Sequence, residues 1–281
     1  MRIVVTGGTG FIGNHVINEL LNQNIDVIAT GTNIEKAETY SWFKKVQFIE
    51  FDINNNSSSI LLEQISTEDK LLHLAWFGLP NYRSLFHFEE NLMPQYNFIK
   101  DVITWGLNDI TVTGTCFEYG KKEGALSEDM TANPDNSYSL DKNTLHKFLE
   151  QLQLQNNFSL KWARLFYMFG EGQSSSSILS QLDKAINNRD NEFNMSKGDQ
   201  IRDYLNVTEV ASKLVKVILN DNFSGTINCC SGYGITVKSL VDNHLKNGNY
   251  ELKLNLGHYP YNDYEAFAFW GDNTKWNSIF A

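Results

Sequence analysis

The chain has little positive charge, few cysteines and no long apolar run. Its 23 Lys and Arg residues are outnumbered by 33 Asp and Glu residues, and the net charge of −10 disfavours a nucleic-acid-binding surface. Cys116, Cys229 and Cys230 form an adjacent pair and a distant single residue, which suits neither disulfides nor a metal site. No apolar run reaches membrane-spanning length, so we expect a protein that binds no membrane, no nucleic acid and no metal.

A predicted strand already begins at residue 3, so we expect no signal peptide ahead of it. Together with the unpaired cysteines, this predicts a cytoplasmic protein. Hydrophobic residues make up 42% of the 281 residues, which is enough for one large domain and a small lobe.

What the sequence does contain is a glycine-rich turn between a strand and a helix, at residues 2–13. The apolar run 3–5 is typical of a strand buried on both faces, and the pattern at 11–21 predicts an amphipathic helix. Glycines between them let backbone N–H groups approach a pyrophosphate, and the helix dipole adds partial positive charge. We therefore predict a dinucleotide site rather than a tight turn without ligand, and the cofactor-binding residues expected at this turn are Gly7, Gly10, Phe11, Ile12 and Gly13.

Strand-like and helical patterns alternate along the first half of the chain. Strands are predicted at 26–30, 46–51, 70–75, 110–113 and 161–167, and long helices at 88–105 and 138–154. In the second half, a further strand is predicted at 201–207. The alternation predicts an α/β fold, a doubly wound parallel Rossmann sheet with a small C-terminal substrate lobe. We assign 1–168 plus about 204–228 to the dinucleotide-binding domain, and 169–203 plus 229–281 to the lobe.

The end of the second predicted strand lacks the acidic residue that normally accepts the ribose hydroxyls of NAD. Gly31 stands there, and Asp26 lies at the other end of the strand. Thr32 and Asn33 can donate hydrogen bonds to a 2′-phosphate, and Lys36 follows one turn later. We therefore predict a preference for NADP(H), with NAD(H) possible because the usual arginine is missing. Thr32 and Asn33 could also cap the following helix.

A Y-x-x-x-K pattern places a tyrosine and a lysine one helical turn apart on one face. The lysine charge favours the phenolate, so such a tyrosine can exchange a proton with an alcohol or carbonyl. The pattern has little value alone, because it occurs three times, at Tyr40/Lys44, Tyr96/Lys100 and Tyr138/Lys142. Only the third pair would lie beside the nicotinamide end of a cofactor, and we expect the other two to be surface or interface residues.

With these motifs the chain resembles the extended short-chain dehydrogenases/reductases, a family of nucleotide-sugar epimerases, dehydratases and ketoreductases. The resemblance covers nearly the whole chain. The matching segments are 6–13, 51–53, 73–75, Asn91, 113–120, 138–142, 164–170 and 198–204.

The resemblance implies a role for each residue that matches a family motif. It makes Thr115, Tyr138 and Lys142 the catalytic set, with Thr115 holding the reacting carbonyl oxygen. Thr115, Tyr167 and Arg202 would bind the substrate, and Arg202 would hold the nucleotide diphosphate. The cofactor-binding residues outside the glycine turn would be Thr32, Asn33, Asp52, Ile53, Leu74, Ala75, Asn91, Thr113, Tyr138, Lys142 and Tyr167. Among them, Asp52 would contact the adenine.

Several of these residues have a simpler alternative role. Thr115 could merely end the fifth strand, and Asp52 could be a turn residue. His73 is expected to be a core histidine rather than a base, and Arg202 could be a solvated charge on a strand. Arg83 follows the fourth strand, and nothing in the sequence assigns it to the substrate.

Comparison within the resembled family favours one reaction. Where 4,6-dehydratases carry an Asp-Glu pair, this chain has Cys116 and Phe117, and Glu118 is one position late and should point elsewhere. C4-epimerases have the second-strand acid and an asparagine at the position of Tyr167. The favoured reaction is NADPH-dependent reduction of the C4 keto group of a nucleotide-linked 4-keto-6-deoxyhexose, as in making sugars for surface polysaccharide. A nucleotide-sugar C4-epimerase and a non-catalytic dinucleotide-binding sensor or scaffold remain as alternatives.

We also expect a homodimer formed by helix pairing. The apolar stripe Leu92, Tyr96, Ile99 and Ile103 would meet a second copy together with the helix that begins near Tyr138. The alternative is that this stripe packs against the sheet of its own chain.

Overall fold

The computed structural model describes residues 1–261 and 266–280. Its strands are β1 (Ile3–Thr6), β2 (Val27–Gly31), β3 (Gln47–Glu50), β4 (Lys70–His73), β5 (Asp109–Thr115), β6 (Gly124–Leu126), β7 (Ser159–Leu165), β8 (Tyr167–Phe169), β9 (Glu192–Met195), β10 (Ile201–Arg202), β11 (Tyr204–Asn206), β12 (Gly225–Cys229), β13 (Ile235–Thr236), β14 (Lys253–Leu256) and β15 (Phe269–Gly271). Its helices are α1 (Phe11–Asn22), α2 (Ile34–Glu38), α3 (Ser59–Leu62), α4 (Leu92–Trp105), α5 (Ser137–Gln153), α6 (Ile178–Asn188), α7 (Val207–Leu219), α8 (Val237–Asn247) and α9 (Thr274–Phe280).

Seven strands form one parallel sheet in the order β12-β7-β5-β4-β1-β2-β3. The strand β1 pairs with β2 on one side and β4 on the other, so the strand order reverses beside it. Ligands of such sheets bind at this switch point, outside the carboxyl ends of the strands. The predicted doubly wound Rossmann sheet is confirmed.

Helices cover both faces of the sheet. On one face, α1 and α7 contribute a core that contains Val16 and Leu214, both fully buried. On the other face, α4 and α5 contribute a core that contains Ile99 and Leu145. Because both faces are covered, the strands can be apolar along their whole length, as the sequence of β1 is.

The stripe that was expected to pair two copies belongs mainly to the second of these cores. Ile99 and Ile103 are 0% and 8% exposed and pack against the sheet. Leu92 and Tyr96 are only partly buried. The interpretation of all four residues as an intermolecular stripe is therefore wrong, because half of them fill their own chain's core.

Two predicted elements differ in their bounds. The helix expected at 88–105 begins with a π-helical turn, His87–Asn91, before α4. The strand expected at 201–207 is interrupted at Asp203, which separates β10 from β11. The Asp203 carboxylate accepts hydrogen bonds from the backbone N–H groups of Ser231, Gly232 and Gly271, at 2.7, 3.1 and 3.1 Å, and this breaks the strand.

A third apolar core lies outside the sheet. It joins α6, β9 and α8 and contains Leu182, Phe193 and Val241. The last helix, α9, instead inserts Trp276 into the core that α1 and α7 form against the sheet. The division into two domains stays a prediction, and residues 262–265 and 281 of the proposed lobe lie outside the described residues.

No helix within residues 1–261 and 266–280 is long and apolar enough to cross a membrane. In the same residues, no group of three His, Cys, Asp or Glu side chains is placed to hold a metal ion.

A buried ion cluster lies at the amino ends of the central strands. Asp109 pairs with Lys161 at 2.8 Å and with Lys70 at 2.9 Å, and the Lys161 side chain is fully buried. Both ammonium groups also donate to the carbonyl oxygen of Ile218 near the end of α7, and Lys70 pairs with Asp221 as well. The cluster joins three strands of the sheet to the end of a helix.

We expect the substitution Asp109→Asn to lower the free energy of unfolding by about 3–5 kcal/mol, because it leaves buried ammonium groups short of their counter-ion. Urea denaturation measures the change. Asp242→Asn is the matched control, since it breaks an exposed pair with Lys238 and should cost under about 1 kcal/mol. Equal effects of the two substitutions would contradict a structural role for the cluster.

Candidate active site

The turn between β1 and α1 leaves no room for a side chain at Gly7 or Gly13. A Cβ at Gly13 would lie 2.2 Å from the Gly7 carbonyl oxygen. Gly7 has a φ of +70°, and a Cβ there would meet the Ala75 backbone at 3.0 Å. Gly10 precedes α1, and no side chain among the described residues caps this helix end. Exposed N–H groups in a close-packed backbone turn fit the pyrophosphate of a dinucleotide.

The segment after β3 was predicted to hold the adenine. The Asp52 carboxylate accepts hydrogen bonds from the Asn54 backbone N–H at 2.9 Å and the Asn55 side chain at 2.7 Å. Asp52 thus has the turn role that was considered for it, and the next residue, Ile53, packs against the adjoining core. Neither observation tests contact with adenine.

At the end of β2 the structure confirms the capping alternative for Asn33 and adds a carboxylate from the neighbouring strand. The Asn33 side chain accepts a hydrogen bond from the Lys36 N–H at 2.6 Å and so caps α2. The Glu50 carboxylate, at the end of β3, accepts a hydrogen bond from the Ile34 N–H at 3.1 Å. The premise that no carboxylate lies near the end of β2 is therefore wrong, because the neighbouring strand brings one there.

The segment that follows β4 is tied to β1 through one hydroxyl. The Thr6 Oγ1 atom lies 2.9 Å from the His73 Nδ1 atom and accepts hydrogen bonds from the Leu74 and Ala75 N–H groups at 3.1 and 3.3 Å. His73 is fully buried, and burial lowers its pKa to about 3. The prediction of a core histidine is confirmed, and the ring is neutral at physiological pH.

The three residues predicted to be catalytic lie together at the carboxyl edge of the sheet. Thr115 is the last residue of β5, and Tyr138 and Lys142 lie in the first two turns of α5. Although burial has the larger effect and raises the pKa of the Tyr138 phenol, the Thr115 hydroxyl lies close enough to the phenol to lower it. The Lys142 Nζ atom donates to the Thr113 carbonyl oxygen at 2.9 Å and lies 3.8 Å from the centre of the Trp76 ring.

Burial sets the protonation of this group. Tyr138, Lys142 and Thr115 are only 7%, 2% and 6% exposed. Burial raises the pKa of the Tyr138 phenol and lowers the pKa of Lys142 to about 7. The expected lysine effect, which favours the phenolate, is thus outweighed in this structure. A protonated phenol near neutral pH can donate a proton to a developing alkoxide.

An aromatic cover over Tyr138 was missed by the sequence reasoning. The rings of Trp76, Tyr82 and His87 have their centres 6.0, 5.6 and 5.5 Å from that of Tyr138. The Tyr82 carbonyl oxygen accepts a hydrogen bond from the Tyr138 N–H at 2.9 Å, which fixes the segment to the start of α5. The aromatic-rich run at 76–88 was the available signal for this cover.

Glu118 points into the core behind Thr115, as expected. Its carboxylate accepts hydrogen bonds from the Thr115 N–H at 2.8 Å, the Trp162 Nε1 at 3.0 Å and the Arg164 Nε at 2.8 Å, and the residue is fully buried. The Thr115 hydroxyl in turn accepts from the Phe117 N–H at 3.3 Å. A buried ion pair therefore anchors the end of β5.

Asn91 and Thr113 have structural partners beside the site. The Asn91 amide donates to the Phe77 carbonyl oxygen at 3.0 Å and accepts from the Asn54 amide at 3.2 Å. The Thr113 hydroxyl donates to the His73 carbonyl oxygen at 3.3 Å. These contacts join the loops that follow β3 and β4 to the rest of the site.

Tyr167 and Arg202, which were predicted to bind substrate, differ in their surroundings. The ring of Tyr167 lies with its centre 6.0 Å from that of Phe117 and 5.6 Å from that of Tyr204. Arg202 is 2% exposed, and its Nη1 atom donates to the carbonyl oxygens of Ile201 and Phe267 at 2.8 and 2.9 Å. The alternative of a solvated charge is wrong for Arg202. Contact with a diphosphate stays a prediction.

The other two Y-x-x-x-K pairs lie elsewhere. The Tyr40 hydroxyl donates to the Thr9 carbonyl oxygen at 3.1 Å, so this ring supports the glycine turn. Tyr96 packs edge-on against Phe148 of α5, with ring centres 5.5 Å apart. Lys44 and Lys100 are exposed.

Comparison with known proteins agrees with this geometry. The model of the NAD dependent epimerase/dehydratase family matches residues 3–230. The chain belongs to this family. The predicted family resemblance is thereby confirmed, and the chain is an enzyme of the epimerase/dehydratase family.

Individual relatives extend over nearly the whole chain. It is 28% identical over 272 residues to the dTDP-6-deoxy-L-talose 4-dehydrogenase (NAD(+)) of Aggregatibacter actinomycetemcomitans, covering 96% of this chain and 99% of the relative. It is 25% identical to the dTDP-4-dehydro-6-deoxyglucose reductase of Escherichia coli, covering 90% and 82%. The fold also matches UDP-N-acetylglucosamine 4-epimerase from Methanobrevibacter ruminantium M1 in complex with UDP-N-acetylmuramic acid, with a TM-score of 0.85, 19% identity and 100% and 92% coverage.

Asp141 is a buried carboxylate next to Lys142 in α5. It is fully buried, and neither carboxylate oxygen has a hydrogen-bond partner among the described residues. Burial raises its pKa from 3.8 to about 7. Between these two values the native state holds a proton that the unfolded chain has lost, so stability falls as the pH rises from about 4 to 7.

We expect Asp141→Asn to remove the part of the pH-dependent fall in stability that Asp141 causes. Between pH 5 and pH 8 the wild-type free energy of unfolding should fall by roughly 1–3 kcal/mol more than that of the variant. Urea denaturation at both pH values gives the difference. The exposed Asp101 of α4 supplies the control, since Asp101→Asn should keep the wild-type pH dependence. An unchanged pH dependence in Asp141→Asn would contradict the assignment.

Proposed function

We propose that this protein reduces the C4 keto group of a nucleotide-linked 4-keto-6-deoxyhexose with a reduced nicotinamide dinucleotide. The contact of the Tyr138 and Thr115 side chains beside Lys142, at the carboxyl edge of the sheet, carries the proposal. Two curated relatives support the sugar class, because both names describe oxidation or reduction of 6-deoxy sugars at position 4.

The residues would share the reaction as follows. The glycine turn would hold the pyrophosphate, and Lys142 would hold the nicotinamide ribose. A bound reduced dinucleotide supplies the hydride that the sugar carbon accepts. The Thr115 hydroxyl would hydrogen-bond the carbonyl oxygen, and the protonated Tyr138 phenol would donate its proton to the alkoxide that forms. The aromatic cover of Trp76, Tyr82 and His87 would exclude water from this proton transfer.

The predicted preference for NADP(H) has little support. The family description and the first relative both name NAD, and the Glu50 carboxylate lies near the end of β2. The proposal therefore specifies a reduced nicotinamide dinucleotide and does not require that it carry the 2′-phosphate.

We expect Tyr138→Phe to lower kcat by about 10²–10⁴, because the phenolic proton is lost from the reaction. The affinity for the dinucleotide, measured by titration, should change little, since a ring of the same shape remains. Tyr96→Phe is the matched control, because Tyr96 heads another Y-x-x-x-K pair far from this proton transfer, and it should keep wild-type kcat.

The same assay separates the alternatives. Loss of dinucleotide absorbance with a keto-sugar nucleotide indicates reduction, whereas interconversion of two sugars without net loss of absorbance indicates an epimerase. Dinucleotide binding without turnover of any nucleotide sugar in the panel would favour a sensor or scaffold. Unchanged kcat in Tyr138→Phe would remove this residue from the mechanism.

We also propose that two copies pair through α4 and α5. Support comes from large apolar side chains that stay exposed on this helix pair, with Met93, Leu140 and Phe148 exposed by 48, 43 and 39%. Such a patch on a soluble protein often marks an interface.

We expect Phe148→Glu to convert a dimer into a monomer, because a carboxylate would be buried between the two copies without a partner. Light scattering measures the mass. The control is Leu154→Glu, which changes a 78% exposed residue just beyond α5 and should leave the mass unaltered. A wild-type monomer would refute the pairing.

A further inference from the structure

The register of β2 and β3 places two residues side by side at the carboxyl edge of the sheet. Gly31, the last residue of β2, pairs directly with Glu50, the last residue of β3. Directly paired residues of neighbouring strands project to the same face of a sheet. The Glu50 side chain therefore rises on the face that a side chain at position 31 would occupy.

Position 31 itself has no space for an acid. A Cβ at Gly31 would lie 2.9 Å from the Thr9 Oγ1 atom and 3.1 Å from the Thr9 Cγ2 atom. Thr9 belongs to the glycine turn, is 8% exposed, and its carbonyl oxygen already accepts the Tyr40 hydroxyl. A carboxylate on the last residue of β2 would push against the turn that is to hold the pyrophosphate.

Glu50 reaches the same region from the next strand. Its Oε1 atom accepts the Ile34 N–H at 3.1 Å, immediately after Thr32 and Asn33. Asn33 already uses its side-chain oxygen on the Lys36 N–H at 2.6 Å. The side chain of Glu50 thus brings a negative charge to the segment that follows β2, where the adenosine ribose of a dinucleotide lies in this fold.

We propose that Glu50 makes the site select NAD(H) over NADP(H). Its carboxylate would accept the ribose hydroxyls of NAD(H), which are donors, and would repel the 2′-phosphate of NADP(H), which offers only negative charge and acceptors. The sequence supplies no arginine between residues 26 and 60 to reverse this preference. The proposal depends on dinucleotide binding in the proposed function and not on the sugar.

The test is a titration of NADH and NADPH into the full-length protein without any sugar nucleotide. The wild type should bind NADH at least tenfold more tightly than NADPH. Glu50→Gln should reduce this ratio about tenfold or more, by weaker binding of NADH and tighter binding of NADPH. Glu50→Lys should invert the ratio. Thermal melting confirms that each variant is folded.

Glu35→Gln is the matched control, since Glu35 is an exposed acid in the first turn of α2 and its substitution removes the same charge one residue after Ile34. It should keep the wild-type ratio. Tighter wild-type binding of NADPH, or the same ratio in folded Glu50→Gln as in the wild type, would overturn the role of Glu50 while leaving the proposed reaction intact. Binding of neither dinucleotide would overturn the cofactor site itself.

Discussion

The close approach of two backbone segments at the glycine turn is the constraint on which the site depends. A Cβ at Gly13 would lie 2.2 Å from the Gly7 carbonyl oxygen, so strand β1 and helix α1 can meet only without side chains between them. This contact aims the N-terminus of α1 across the carboxyl edge of the sheet. Under the proposed function, a dinucleotide held at this turn would extend along the same edge of the sheet toward Thr115 and Tyr138.

The second feature of the site is that its ionisable side chains are buried away from water. Tyr138, Lys142 and the neighbouring Asp141 all have their charged forms disfavoured by burial. Behind them, Glu118 and Arg164 form a buried pair in which the Arg164 Nε atom donates to the Glu118 carboxylate at 2.8 Å. This ion pair holds the Thr115 backbone N–H, whereas burial disfavours the charged forms of the three residues in α5.

The sequence predicted the sheet, and it predicted that Thr115, Tyr138 and Lys142 lie together at its edge, because both depend on local patterns. Apolar strands alternate with amphipathic helices, and a tyrosine and lysine one turn apart need only a helix to share a face. It could not predict contacts set by the pairing of distant strands. Glu50 reaches the end of β2 only through the register of β3, and Trp76 reaches Lys142 only when its loop folds over α5. Ile99 and Ile103 were misjudged for a related reason, since periodicity finds an apolar face but not the surface that covers it.

The ion cluster of Lys70, Asp109 and Lys161 lies at the amino ends of the strands, at the edge of the sheet opposite to Tyr138. The candidate active site and the ion cluster thus lie at opposite edges of the same sheet. Under the proposed function, loops at the carboxyl edge could be exchanged or lengthened to suit another sugar without disturbing the ion cluster at the amino edge. Such a separation favours evolutionary diversification, because substitutions at the carboxyl edge leave the ion cluster at the amino edge unchanged.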